Sequence, residues 1–302
     1  MKEPLRLDAL GDFLQRAVAM YGRHFRLLAG ILMVPSFLAI GPALWLERVV
    51  TRLAAVTEMT DPAQKFAEMA PYSLGLAIYC VVYSLLQCAS FGAIAAVISD
   101  TRRGKPTGVG AAWRRVAGHH IGVSTIGAAY PVVFFTGAMV SAIAFMIPAV
   151  LLTMLIQQPL MALLLLPILA GGLAATVLLL ARCAMAVPAL LDGERSAIAA
   201  FRRSASMTKG NMVFFVIVLL IGFLAGNVVV FVFEGPFLLG RWLAGDGELG
   251  MLLHAAQVVA GSIGRAFGTA IPMLIVCLLY HDLKDREQIV SIGRPSSEGS
   301  VV

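Results

Sequence analysis

Residues Pro188–Asn211, PALLDGERSAIAAFRRSASMTKGN, form a charged, helix-competent island between two long apolar runs. Asp192 can cap a helix that starts near Gly193, because its carboxylate can accept from the free amides of the first turn. Lys209-Gly210 reads as the stop: a cation in the last turn, then a residue that tolerates the left-handed position after a helix. Between these ends Ile198, Phe201 and Ala205 share one face, and Arg202 and Arg203 fall off it. The stretch is a short amphipathic helix held between two membrane spans. Similar stretches stand before two earlier apolar runs.

The composition explains why the flanks read as spans. Apolar residues make up 59% of the chain and charged residues 13%, with a mean hydropathy of +0.87. A soluble domain carries about 25% charged residues, so the deficit assigns most of this surface to lipid. Several runs reach the roughly 20 apolar residues that a helix needs to cross a bilayer. The fold class expected is therefore an all-α integral membrane protein. Residues 1–25 spread Glu3, Asp8, Asp12, Arg16 and Arg23 along their length, without the apolar core of a cleaved signal, so the first span is expected to be permanent. Cys80, Cys88, Cys183 and Cys277 all fall in apolar runs with no CxxC spacing, and they read as small buried side chains.

Taken in order, residues 7–25 place Leu7, Leu10, Leu14 and Val18 at helical spacing, as in a helix lying in the interface. Span 1 is expected at about 27–46 and, after a polar loop over 47–71, span 2 at about 72–99. A basic segment with Arg102, Arg103, Lys105, Arg114 and Arg115 follows, and Val109, Ala112, Trp113 and Val116 make it amphipathic. The apolar run 121–190 is too long for one crossing at about 1.5 Å per residue. Split at Gln157-Gln158-Pro159, it gives spans 3 (about 121–154) and 4 (about 160–187). Span 5 is expected at about 212–233, an outer loop over 234–250, and span 6 at about 263–281, with 251–262 near the outer surface. Residues 287–302 read as a disordered cytoplasmic tail.

On this six-span topology eighteen of the 23 Lys and Arg lie on the side of the two termini. That asymmetry places both termini in the cytoplasm. It also makes a basic collar that an anionic leaflet would attract by about 1 kcal/mol per surface cation. The collar hints at repetition. LQRAV (14–18), WRRVA (113–117) and FRRSA (201–205) align ahead of odd-numbered spans, and DTRR (100–103), DGER (192–195) and DLKDR (282–286) align after even-numbered ones. A single domain over 1–286 then reads as three units, about 7–103, 107–195 and 196–286, each a cytoplasmic amphipathic helix plus a transmembrane hairpin.

Arg182 ahead of Pro188, the acidic turn Asp192–Glu194, the run Arg202-Arg203-Ser204, the step Thr208-Lys209-Gly210 and the close LLYHDLKDRE (278–287) form one constellation. It resembles the membrane domain attached to some bacterial glycerophosphodiester phosphodiesterases, together with its stand-alone relatives. The resemblance covers about 180–214 and 278–287 and is loose elsewhere. It implies a six-helix module of the bacterial inner membrane. It does not imply phosphodiesterase activity, because the catalytic barrel of such enzymes is a separate domain of roughly 250 residues.

No catalytic template fits: HExxH, GxSxG, a Walker loop and GxGxxG after a strand are all missing from the sequence. His119-His120 lacks nearby acids and reads as interfacial, so no metal or cofactor is expected. The candidates that remain are polar groups of a membrane protein. Arg16, Arg114, Arg115, Arg182, Arg202 and Arg203 are candidates for lipid headgroups; Arg182 snorkels to phosphates, forms a specific headgroup site or serves as a polar anchor inside the bundle. Gln87, Asn227 and Arg265 are the intramembrane polar residues. Each amide serves either an interhelical hydrogen bond or a substrate, and Arg265 can snorkel outward. Gly222, Gly226, Gly264 and Gly268 suggest close packing of spans 5 and 6. Glu47 and Glu234 read as lying at span ends, and the lack of a mid-span acid argues against ion-coupled transport.

The reading is a non-enzymatic inner-membrane protein whose surface helices engage anionic lipid, a membrane-protein partner or a second copy of itself. The alternative is a transporter or channel subunit for a small solute or lipid; an intramembrane lipid-modifying enzyme ranks third. Nucleic acid is not an expected partner, because no folded soluble surface presents the charge.

Overall fold

A computed structural model of the chain describes residues 9–41, 44–45, 62–133, 136–137, 174–245 and 247–292. Among these residues the regular structure is helical and no strand occurs. The helices are α1 (Leu10–Leu38), α2 (Pro62–Arg102), α3 (Val109–Ala117), α4 (His120–Val133), α5 (Ala174–Leu191), α6 (Ala197–Thr208), α7 (Met212–Ala244), α8 (Glu248–Gly268) and α9 (Ala270–Ile292). Among the described residues, five segments are long and apolar enough to cross a membrane: α1, the Ala70–Arg102 part of α2, α5, α7, and α8 running into α9. This is the build of a multi-pass membrane protein. The proposed split at Gln157-Gln158-Pro159 lies outside the described residues, and α4 contributes a shorter apolar helix at the start of the expected span 3.

Several expected boundaries move because helices run on past the ends of the apolar runs, in α7 even through Pro236. The surface helix over 7–25 and span 1 are one rod, α1, with no break at Arg26. Its inward face is set one position off the expected one: Phe13 and Ala17 are buried, while Val18 is 71% exposed. Pro35 sits inside the rod, and its carbonyl accepts from the Ala39 amide at 3.0 Å. The expected outer loop over 234–250 is also helical. α7 continues through Pro236 to Ala244, and α8 starts at Glu248, so a short turn joins two long helices. Residues 251–262 belong to α8 rather than to a surface segment, and the break falls later, at Thr269. At about 1.5 Å per residue the 33 residues of α7 span roughly 50 Å. A hydrocarbon core is about 30 Å thick, so the hairpin tilts or projects beyond it. The expected tail loses its first residues to α9, which runs to Ile292.

The α7–α8 hairpin packs through glycine. A Cβ at Gly226 would lie 2.6 Å from the Gly268 carbonyl oxygen, and one at Gly264 3.1 Å from the Val230 Cα. Gly222 faces α9 instead, with Pro272 Cα at 3.4 Å from its Cβ position. Bare backbones meet here because no side chain stands between them.

The opening island is built differently from its first reading. Asp192 does not cap α6. Ser196 does, its hydroxyl accepting from the Ala199 amide at 3.2 Å, and Gly193 turns the chain at φ +127°. The stop falls where expected with one change: α6 ends at Thr208, Lys209 is the extended residue after the last turn rather than a cation within it, and Gly210 takes φ +89°. The buried face, however, is Ala197, Ala200, Ser204, Met207 and Thr208, with Ile198 exposed. Small residues let α6 lie against α5 where that helix breaks at Ala184-Met185. Ser204 repairs the break, donating to the Arg182 carbonyl (2.6 Å) and accepting from the Met185 amide (3.1 Å). Buried backbone groups freed by a kink need such partners.

The hydrophobic core reaches this island. Phe91, Ile94 and Ile98 of α2 pack with Ile31 and Leu32 of α1, Val116 of α3, Val187 and Leu190 of α5, and Leu274 and Leu279 of α9. These residues join five helices.

Candidate functional site

The charges gather at one end of the bundle. Asp192, 7% exposed in its side chain, follows the last turn of α5 and meets α9. It accepts from the Tyr280 hydroxyl (2.9 Å) and from Lys284, and Arg103 lies 3.6 Å away. Asp282 of α9 accepts from Arg16 of α1 at 2.8 Å and from Arg102 of α2 at 3.5 Å, and Arg102 also reaches Asp285 at 3.2 Å. Asp100, at the end of α2, holds Arg115 of α3 at 2.7 Å and the Thr107 hydroxyl at 3.2 Å. Arg203 of α6 pairs with Glu287 of α9. The segments DTRR, DGER and DLKDR, far apart in the chain, thus meet in one polar layer.

The six candidate arginines divide into two groups. Arg16, Arg115 and Arg203 are held by carboxylates. Arg114, Arg182 and Arg202 are exposed and form no ion pair among the described residues. Arg114 reaches only the Gly110 carbonyl of its own helix, at 3.4 Å. The layer's acids, Asp100, Asp192, Asp282 and Glu287, were not candidates from the sequence, although the aligned acidic motifs pointed at three of them. His119 and His120 turn their Nδ1 atoms to the Arg115 and Ala117 carbonyls and close the end of α3.

A second polar cluster lies along the α7–α8 hairpin. Glu234 is not at a span end; it sits within α7, 3.5 Å from Arg265 of α8. Gly261 leaves the room its carboxylate occupies, since a Cβ there would collide with Glu234. Arg265 therefore pairs across the hairpin rather than snorkelling outward. Gln87 of α2 keeps its Oε1 buried without a hydrogen-bond partner among the described residues. Asn227 is exposed and donates to the Phe223 carbonyl of its own helix at 2.8 Å, so it bridges no helices. The four cysteines are free thiols.

Two open spaces lie near the charged layer. One of about 260 Å³ lies between α1, α2 and α9 at the charged end. A second, of about 490 Å³, runs between the start of α4 and the start of α6, past His119, Glu194 and Arg195. Comparison with protein-family models, curated proteins and solved structures finds no match to this chain.

Proposed function

We propose that this chain is a non-enzymatic six-span protein of the bacterial inner membrane, akin to the membrane domain of glycerophosphodiester phosphodiesterases, that engages anionic lipid headgroups at its charged end. The observation that carries the reading is the division of the arginines. Three are used up in fastening helices, while Arg114, Arg182 and Arg202 stay exposed at the same end with no carboxylate partner among the described residues. A cation left unpaired at headgroup level has lipid phosphate as its natural counterion.

The three-unit organisation and the cytoplasmic placement of this end belong to the same proposal. Arg16, Arg115 and Arg203 occupy equivalent places in LQRAV, WRRVA and FRRSA. Arg115 pairs with Asp100, which closes the preceding unit, and Arg16 pairs with Asp282, which closes the last one, as a ring of three units requires. The third unit departs: Arg203 takes Glu287, leaving Asp192 to Arg103, Lys284 and Tyr280. A carrier or channel would draw on Glu234 and Arg265, but that pair is closed on itself.

Native mass spectrometry of the purified chain tests the reading. Replacing Arg114, Arg182 and Arg202 together by Gln should lower retention of phosphatidylglycerol, by about fivefold for each cation, and leave phosphatidylcholine unaffected. Equal retention by the variant and the parent chain would overturn it.

A further inference from the structure

The space of about 260 Å³ between α1, α2 and α9 is not an ordinary gap between helices. One stripe of α1, at the spacing that puts residues on a single helix face, supplies Arg16, Arg23 and His24 to its wall. Arg102, the last residue of α2, and Asp282 complete the polar part. Three arginines thus share one carboxylate of the lining, with Asp285 beside it also holding Arg102. Asp282 engages Arg16 and Arg102, whereas Arg23 has no ion pair among the described residues. His24 adds an independent sign. Its Nε2 is buried and has no hydrogen-bond partner among the described residues. With that nitrogen committed to no bond among the described residues, the ring can reorient toward the pocket it lines, beside the guanidinium of Arg23. The other walls, from Phe13, Met20 and Leu278, are apolar.

We infer that this pocket is a discrete binding site for one phosphate group, with Arg23 as its direct contact and the His24 imidazole joining it once the ring turns toward the space it lines. Arg16 and Arg102, anchored by Asp282, set its positive field. Guanidinium matches a phosphate's oxygens in a forked geometry, and an Nε2–H donor supplies a further bond. The apolar walls suit the glycerol and first acyl carbons of a phospholipid, so the phosphate is carried either by an anionic lipid or by a free anion. The inference rests on the lipid reading above and narrows it from a charged surface to one site.

The experiment uses the full chain in detergent, with native mass spectrometry against phosphatidylglycerol and phosphatidylcholine, and inorganic phosphate as a competitor. The parent chain should keep one phosphatidylglycerol at collision energies that strip the rest. Arg23→Gln should weaken that lipid about fivefold, and His24→Phe, which keeps the ring's bulk, should weaken it further in combination. Ala19→Phe leaves every charge in place and fills the pocket, which Ala19 also lines. It should exclude the same lipid. Displacement by millimolar inorganic phosphate would identify a free anion as the ligand, and resistance to it a lipid. Retention of the tight lipid by both the Arg23→Gln/His24→Phe and Ala19→Phe variants overturns the inference. If the Arg114/Arg182/Arg202 variant alone loses lipid, the pocket fails and the surface reading stands. If the parent chain retains neither anionic lipid nor phosphate, both fail.

Discussion

Asp192 ties α5 to α9 and to the end of α2 through Tyr280, Lys284 and Arg103, from a position only 7% exposed. Removing it strands a tyrosine hydroxyl and two cations. Lys284 and Arg103 keep 29% and 51% of their side-chain surface, so water softens the loss below the 3–5 kcal/mol typical of a fully buried pair. Asp192→Ala should destabilise the protein by about 2 kcal/mol and Tyr280→Phe by about 1 kcal/mol. Unfolding by denaturant in micelles measures both. Equal effects of the two substitutions would mean that the cations contribute nothing. The acid was visible in the sequence, but its use was not: capping chemistry pointed to the next helix, and Ser196, four residues on, took that role. Local rules rank Asp and Ser alike as caps, and only the turn at Gly193 separates them.

At the scale of elements, the α7–α8 hairpin depends on contact between bare backbones. Gly226→Ala places a methyl against the Gly268 carbonyl, a backbone atom that cannot turn aside. It should cost about 1–3 kcal/mol. Gly240→Ala, also in α7, meets only the Leu253 side chain at 3.4 Å and should be neutral or gain up to about 1 kcal/mol from helix propensity. Thermal unfolding of the two variants checks the contrast, and similar midpoints would refute it. The glycine spacing marked this packing in advance for Gly226, Gly264 and Gly268. Gly222 pairs with Pro272 beyond the α8–α9 break, which spacing within a span does not reveal. The same element hid Glu234, read as a terminal acid because α7 was expected to stop about eleven residues earlier than Ala244.

At the scale of the whole molecule, the proposed topology puts the polar layer on the cytoplasmic side and the α7–α8 turn outside. Single cysteines introduced by Lys105→Cys and Gly247→Cys, with the native cysteines replaced by Ala, report on each side. A membrane-impermeant maleimide applied to intact cells should label position 247 and leave 105 unmodified until the membrane is opened. Labelling of 105 from outside would reverse the orientation. Both positions are exposed in the fold, so lack of labelling reflects the membrane rather than burial.

By itself, the sequence determined the class of molecule: helical, apolar enough for several crossings, with its charge gathered in a few short segments. It could do so because a bilayer leaves the backbone no partner but itself, so run length and composition translate directly into helices. It also set the end of α6 at Lys209-Gly210, where the backbone conformation is a local property of glycine. Only the tertiary structure decided that α1 and α7 run unbroken, that Ala200 and Ser204 rather than Ile198 face inward, and which charges meet. Arg16 and Asp282 lie 266 residues apart in the chain, and Tyr280 and Asp192 lie 88 apart. Hydropathy says which residues enter the membrane, but it carries no information about which neighbour each helix finds there. That is settled by side-chain shape and by the pairing of charges once the helices have packed.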